Sequence, residues 1–246
     1  MISKLVDYYK SESLKNKRLL VTKLPFLFPV LIIIADVIFF SSTGYVVESA
    51  INQWSFLWLN VFLALEAGLI DQHEKHSTQY KVITSSPINL KLYGVSGLLY
   101  EMMLSVKVNL IFVLLTLILG GVMGIKVSLI NCLISVIGIF LSSLWLIPLY
   151  TILARIFNIY LVLIVSFASF FLSPSTQSVF GKLFPYNWPA IFPVYWIKLQ
   201  VNGLPIKQYT TIHPVYWPIF ASILLTIVLT ILASTIFSRL EVKNNG

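Results

Sequence analysis

Six stretches of this chain, at 24–40, 54–70, 98–124, 127–150, 156–173 and 215–237, are nearly free of charge. Each approaches the roughly 20 apolar residues that cross the hydrocarbon of a bilayer. Backbone groups find no water in that medium, so such stretches form helices that bond internally. Charged residues make up only 11% of the chain and hydrophobic residues 58%, against about a quarter charged in an ordinary soluble domain. The sequence therefore predicts an all-α membrane protein: six transmembrane helices in a single domain over 1–246, with almost no soluble mass. The third stretch exceeds a simple crossing, and its charge-free part is only 108–124. Its first turns are expected to project into water.

Basic residues orient the helices, because short loops rich in Lys and Arg stay in the cytoplasm. Six crossings put both termini on one side. That side carries thirteen Lys and Arg, running from Lys4 to Lys23, from Lys75 to Lys107, and through Arg155, Arg239 and Lys243. The other side carries Lys126, Lys182, Lys198 and Lys207. Both termini are thus expected in the cytoplasm. The net charge of +8 reads as attraction to the membrane surface; nucleic acid is not an expected partner, since no basic domain stands free to hold a duplex. Ile2, Leu5, Val6 and Tyr9 recur at helical spacing among Lys4, Asp7, Lys10 and Glu12. This makes 1–23 an amphipathic segment lying on the inner surface. No small-residue cleavage site follows the first apolar run, so no cleavable signal is expected.

Between the last two apolar stretches lies 174–213, the richest punctuation in the chain. Seven of the eleven prolines fall between Pro174 and Pro218, beside Trp188, Trp196 and Trp217. Pro interrupts regular structure, and Trp favours the membrane–water boundary. A structureless loop of this length is uncommon, so a folded extracellular cap is expected. Its three Trp are candidates either for contact with a transported molecule or for anchoring at headgroup depth.

Catalytic chemistry finds little support. Asp71, His73, Glu74 and His76 crowd the segment DQHEKH, but metalloprotease helices place two His four residues apart, and here they stand three apart. Mixed charges at the watery end of a span are a solvated helix terminus, and no metal site is expected. The third His, His213, lies on the other side. The run GGVMGIK at Gly120 lacks the Gly-Lys-Ser/Thr ending of a phosphate loop. Cys132, alone in the chain, is a small packing residue. No catalytic residue and no cofactor are assigned. Ionisable residues inside spans are costly and ask for a partner or a purpose. Glu66 and Lys107 fall at similar depths and are candidates for an ion pair. Asp36 has no base at its depth; it either accepts local hydrogen bonds or is protonated, or it faces a wet cavity where a cationic ligand passes.

The polar segment 71–97 joins the second and third stretches and holds a Ser-Ser-Pro turn at Pro87. Glu74, Tyr80, Ser86-Pro87 and Leu92-Tyr93 stand there in an order that resembles the permease subunits of ABC transporters, specifically the six-span kind of bacterial lantibiotic self-immunity systems. The likeness extends to length, six-span layout, inside termini, the amphipathic start and the long last outer loop. One position departs: relatives often carry a Lys three residues after the Tyr, where this chain has Ser96.

The resemblance implies a multi-pass subunit of a bacterial cell membrane that pairs with a second, similar permease, as a heterodimer. It implies two copies of a separate ATP-binding subunit, which would hold the ATP and Mg. A coupling helix with Glu74, Gln79, Tyr80 and Pro87 would dock on that subunit, and short re-entrant helices would precede the last span. The cargo would be a lantibiotic or similar antimicrobial peptide, expelled to give immunity. Two other classes stay open: an ion- or proton-coupled secondary transporter using Asp36 and Glu66 as relay groups, and a non-transporting membrane sensor.

Overall fold

A computed structural model describes residues 2–77, 88–206 and 215–243. Among the described residues the chain is helical without strands, save an isolated bridge between Leu199 and Pro205. Helix α1 spans Ile2–Asn16. Helix α2, Leu24–Phe40, begins with Pro25 in its first turn, where a missing N–H leaves no helical bond unmade. After a turn at Gly44, whose φ of 67° suits a residue without Cβ, α3 (Val46–Gln53) passes through a π turn at Trp54–Trp58 into α4 (Leu59–Ser77). These run on as one apolar helix of 32 residues. Helix α5, Leu90–Met123, is capped by Asn89, whose side chain accepts from the Leu92 N–H at 3.1 Å. Helices α6 (Leu129–Ser143) and α7 (Leu146–Ile156) meet at a 42° bend. Six shorter pieces follow: α8 (Ile159–Ser166), α9 (Ala168–Leu172), a 3-10 helix at Ser173–Gln177, α10 (Val179–Leu183), a 3-10 turn at Pro185–Asn187 and α11 (Trp188–Trp196). The last long helix, α12, covers Trp217–Lys243.

Among the described residues four helices are long and apolar enough to cross a membrane, and α6 with α7 makes a fifth if the bent pair is one span. Of the six spans expected from sequence, four or five are thus matched by helices of that kind. The stretch at 156–173 yields only Ile159–Leu172, about 21 Å at 1.5 Å per residue, short of a hydrocarbon core of about 30 Å. The second helix starts at Val46 and not at 54. Its polar opening had hidden it, and the fold satisfies that polarity internally. Glu48 accepts from the N–H groups of Lys126 and Val127 at 2.7 and 3.2 Å, and Asn52 donates to the carbonyls of Gln200 and Val201. The third helix starts at Leu90, not 98.

Packing centres on Trp54, fully buried and stacked on Phe112 with ring centroids 4.2 Å apart. Facing outward, large apolar side chains form stripes at helical spacing. They are Leu27, Leu31, Ile34 and Ile38 on α2, Leu110, Leu114, Ile118 and Val122 on α5, and Phe220, Leu224, Ile227 and Ile231 on α12. Each stripe repeats every three or four residues, so it occupies one face. Apolar faces this extensive are compatible with a membrane-embedded protein.

In the 174–206 part of the expected cap, α11 packs into the helix bundle. Residues Trp188 to Val194 are all buried, and Phe192 fills the notch left by Gly138, where a Cβ would come within 2.2 Å of its ring. Trp188 meets Trp145 at 6.2 Å and Trp217 at 5.5 Å. Helix α11 packs chiefly along α6, and the stretch after it is held by Asn52 of α3, which donates to the Gln200 carbonyl. The 207–213 part lies outside the described residues.

Candidate functional site

Both ends of the chain meet at one end of the bundle. There α1 packs on the start of α5, and Phe237 of α12 stacks on Tyr93 of α5 at 5.7 Å. Between them lies a knot of charge. Lys15 of α1 pairs with Glu12 at 2.7 Å and with Glu74 of α4 at 2.5 Å, and it donates to the Tyr93 hydroxyl at 3.1 Å. That hydroxyl in turn bonds Glu12. One turn back on α4, Asp71 pairs with Lys75 at 2.7 Å and approaches Arg155 of α7 at 4.0 Å. Lys75 donates to the carbonyls of Ala154, Arg155 and Phe157, closing the C-terminus of α7 where a helix dipole favours a cation. The Arg155 guanidinium lies 4.0 Å over the Phe237 ring. Five helices are joined here by directional contacts.

The knot surrounds a cavity of about 30 Å³, bordered by Glu12, Asp71, Glu74, Glu101, Thr151 and Arg155. That is room for about one water molecule. Deeper in, Thr151 lies 2.6 Å from Glu101, and Ser105 lies 3.3 Å from Glu66. Seven of the chain's nine acidic residues are buried: Glu12, Asp36, Glu48, Glu66, Asp71, Glu74 and Glu101. Among the described residues no group of three or more His, Cys, Asp or Glu could hold a metal ion.

The residues singled out from sequence are scattered. Glu74 is 5% exposed and paired with Lys15, so it braces the bundle. Gln79, Tyr80 and Pro87 lie outside the described residues. Among the described residues no ion pair joins Glu66 to Lys107, a correction with a simple cause. Ser105 faces Glu66, and Lys107 stands two residues on, about 200° around the helix, and is exposed. Asp36 is 2% exposed and accepts from Gln53 at 2.8 Å, while Gln53 accepts from the Trp58 indole at 3.2 Å. Of the expectations for Asp36, the structure shows the local bond. Trp188 is buried within the bundle, Trp196 half-buried, and Trp217 39% exposed. Only Trp217 of the three presents much surface.

Sequence reasoning missed Glu12, Lys15, Tyr93, Glu101, Thr151 and Arg155. Helical spacing carried a signal for one of them: Glu101 and Ser105 are one turn apart on the face that also bears Leu98 and Val108. At the opposite end, Phe56, Phe170, Phe171, Gln200 and Asn202 border an open groove of about 380 Å³. Comparison with known proteins finds no matching family model, no similar curated protein and no similar solved structure.

Proposed function

We propose that the chain is the transmembrane permease subunit of an ATP-driven exporter, with hydrolysis on a separate subunit. The observation that carries this reading is the charge knot at the base of the polar segment between α4 and α5. A soluble partner pushing on 78–87 would push on Glu74, Lys15, Asp71 and Arg155 next, and through them on α1, α4, α5, α7 and α12. The chain's own groups offer no nucleotide machinery, whereas its mechanical linkage runs to the place where such a partner would sit. The two permeases of the resemblance, six crossings completed by α8, α9 and the re-entrant α11, cytoplasmic termini, and an antimicrobial peptide as cargo all belong to this proposal. The groove between Phe171 and Asn202, mostly apolar with amide edges, suits an amphipathic peptide better than the buried Trp188 does.

The test is affinity purification of the chain from its native membrane. A nucleotide-hydrolysing subunit should copurify, and Tyr80→Ala should weaken the association while membrane insertion stays intact. If replacing 78–87 by a Gly/Ser linker leaves the association and the stimulated hydrolysis unchanged, this reading is wrong.

A further inference from the structure

We propose that Glu66 binds a proton inside the bundle, in a site built with Glu101 and Ser105. Glu66 is 1% exposed, and its Oε1 has no hydrogen-bond partner. Its Oε2 has only the Ser105 hydroxyl, at 3.3 Å. That hydroxyl has a single proton and lies closer, at 2.9 Å, to the Glu101 carbonyl one turn back, the bond that helical Ser commonly makes. With the Ser105 proton directed there, Glu66 as a carboxylate faces lone pairs alone. The charge nearest to it is Glu101, of like sign, and Lys107 points elsewhere. Buried carboxylates without a cation or donors take up a proton sooner than stay charged.

Access runs through Glu101. It borders the cavity with Thr151, Asp71 and Arg155, and bonds Thr151 on its inner side. Glu66 does not itself border this cavity; a hydronium ion that passes beyond Glu101 gives its proton to Glu66, an O–H bond forms on the carboxyl oxygen, and water is left. The charged groups facing the site are Glu101 and Tyr100 on α5, Arg155 on α7, Glu12, Lys15 and Tyr9 on α1, and Asp71 and Glu74 on its own helix. Since α1 and α7 close the cavity, opening the charge knot would expose the proton to water.

Infrared spectroscopy of the purified chain in phospholipid vesicles, without any ATPase, tests this directly. The carbonyl stretch of a protonated carboxyl group should be present at neutral pH and shift in D₂O. Glu66→Gln should remove one component of it, with helical content by circular dichroism unchanged; Asp36→Asn identifies any component from that buried acid. Ser105→Ala should shift the Glu66 component by deleting its neighbour, and serves if Glu66→Gln fails to fold. Superimposable spectra of the parent and Glu66→Gln overturn the site, as does a band that Ser105→Ala leaves in place. Either result stands apart from the ATPase reading, which association and hydrolysis test.

Discussion

At the end where α1 packs, helices are joined by ion pairs and charge-assisted bonds among Lys15, Glu74, Asp71, Lys75 and Arg155. At the middle and opposite end, α11 is held by rings and shape: Trp188 between Trp145 and Trp217, and Phe192 in the notch at Gly138. The first kind of joint is directional and responds to salt and to lost partners. The second depends on buried area and packing, and does not. A bundle with one electrostatic joint and one close-packed joint can yield at the first while the second stays rigid. Motion in this chain is therefore expected to start at the charged end.

The sharpest way to break this contrast begins with the packed joint. Trp188→Ala should lower stability by about 3–5 kcal/mol, the usual cost of deleting a buried Trp, measured by unfolding in mixed micelles. The loss should be the same at low and high salt. A smaller loss, or one that salt changes, would mean that the aromatic joint is not what holds α11.

Next in size is the charged joint. Lys15→Met leaves Glu74 and Glu12 buried without their cation. Removing one partner of a fully buried pair costs about 3–5 kcal/mol, but Lys15 is 26% exposed, which solvent discounts to about 1–3 kcal/mol. The measurement is the same unfolding curve, together with amide hydrogen exchange. Exchange should quicken in α1 and the end of α4, and not in α11. Uniform quickening would erase the distinction between the two joints.

The smallest effect sharpens the picture at the surface. Lys126 places its ammonium 3.4 Å over the Tyr45 ring, beside Gly44. Lys126→Ala should cost about 0.5–1 kcal/mol, as for an exposed cation over an aromatic face. A cost nearer to that of Lys15→Met would show that the turn at Gly44 matters more to the bundle than its exposure suggests.

The apolar helices were legible because lipid and core both demand long runs without charge, and such runs stand out at Leu24, Leu90 and Trp217. What sequence hid was polarity that the fold satisfies inside. Glu48 and Asn52 looked like the end of a span because their acceptors and donors, Lys126, Val127 and Gln200, lie 70 or more positions away. For the same reason the charge knot looked like ordinary cytoplasmic loop charge: Lys15, Glu74, Tyr93 and Arg155 meet only when four helices have packed. The Pro and Trp of 174–206 signalled a folded element, which the short helices there form, but gave no sign of how much of α11 is buried in the bundle. Gly138, unremarkable in sequence, makes the notch that draws Phe192 inward.

Seven buried acids leave the charge on the outer surface almost entirely basic, with Asp7 the acid exposed among the described side chains. In a membrane that holds anionic lipids the molecule would behave as a polycation whose counterions are partly lipids. Each exposed Lys or Arg near the surface would be worth about 1 kcal/mol of attraction to anionic headgroups. Lys4, Lys10, Lys17, Arg18 and Lys23, all exposed, would then gather such lipids around α1 and the start of α2.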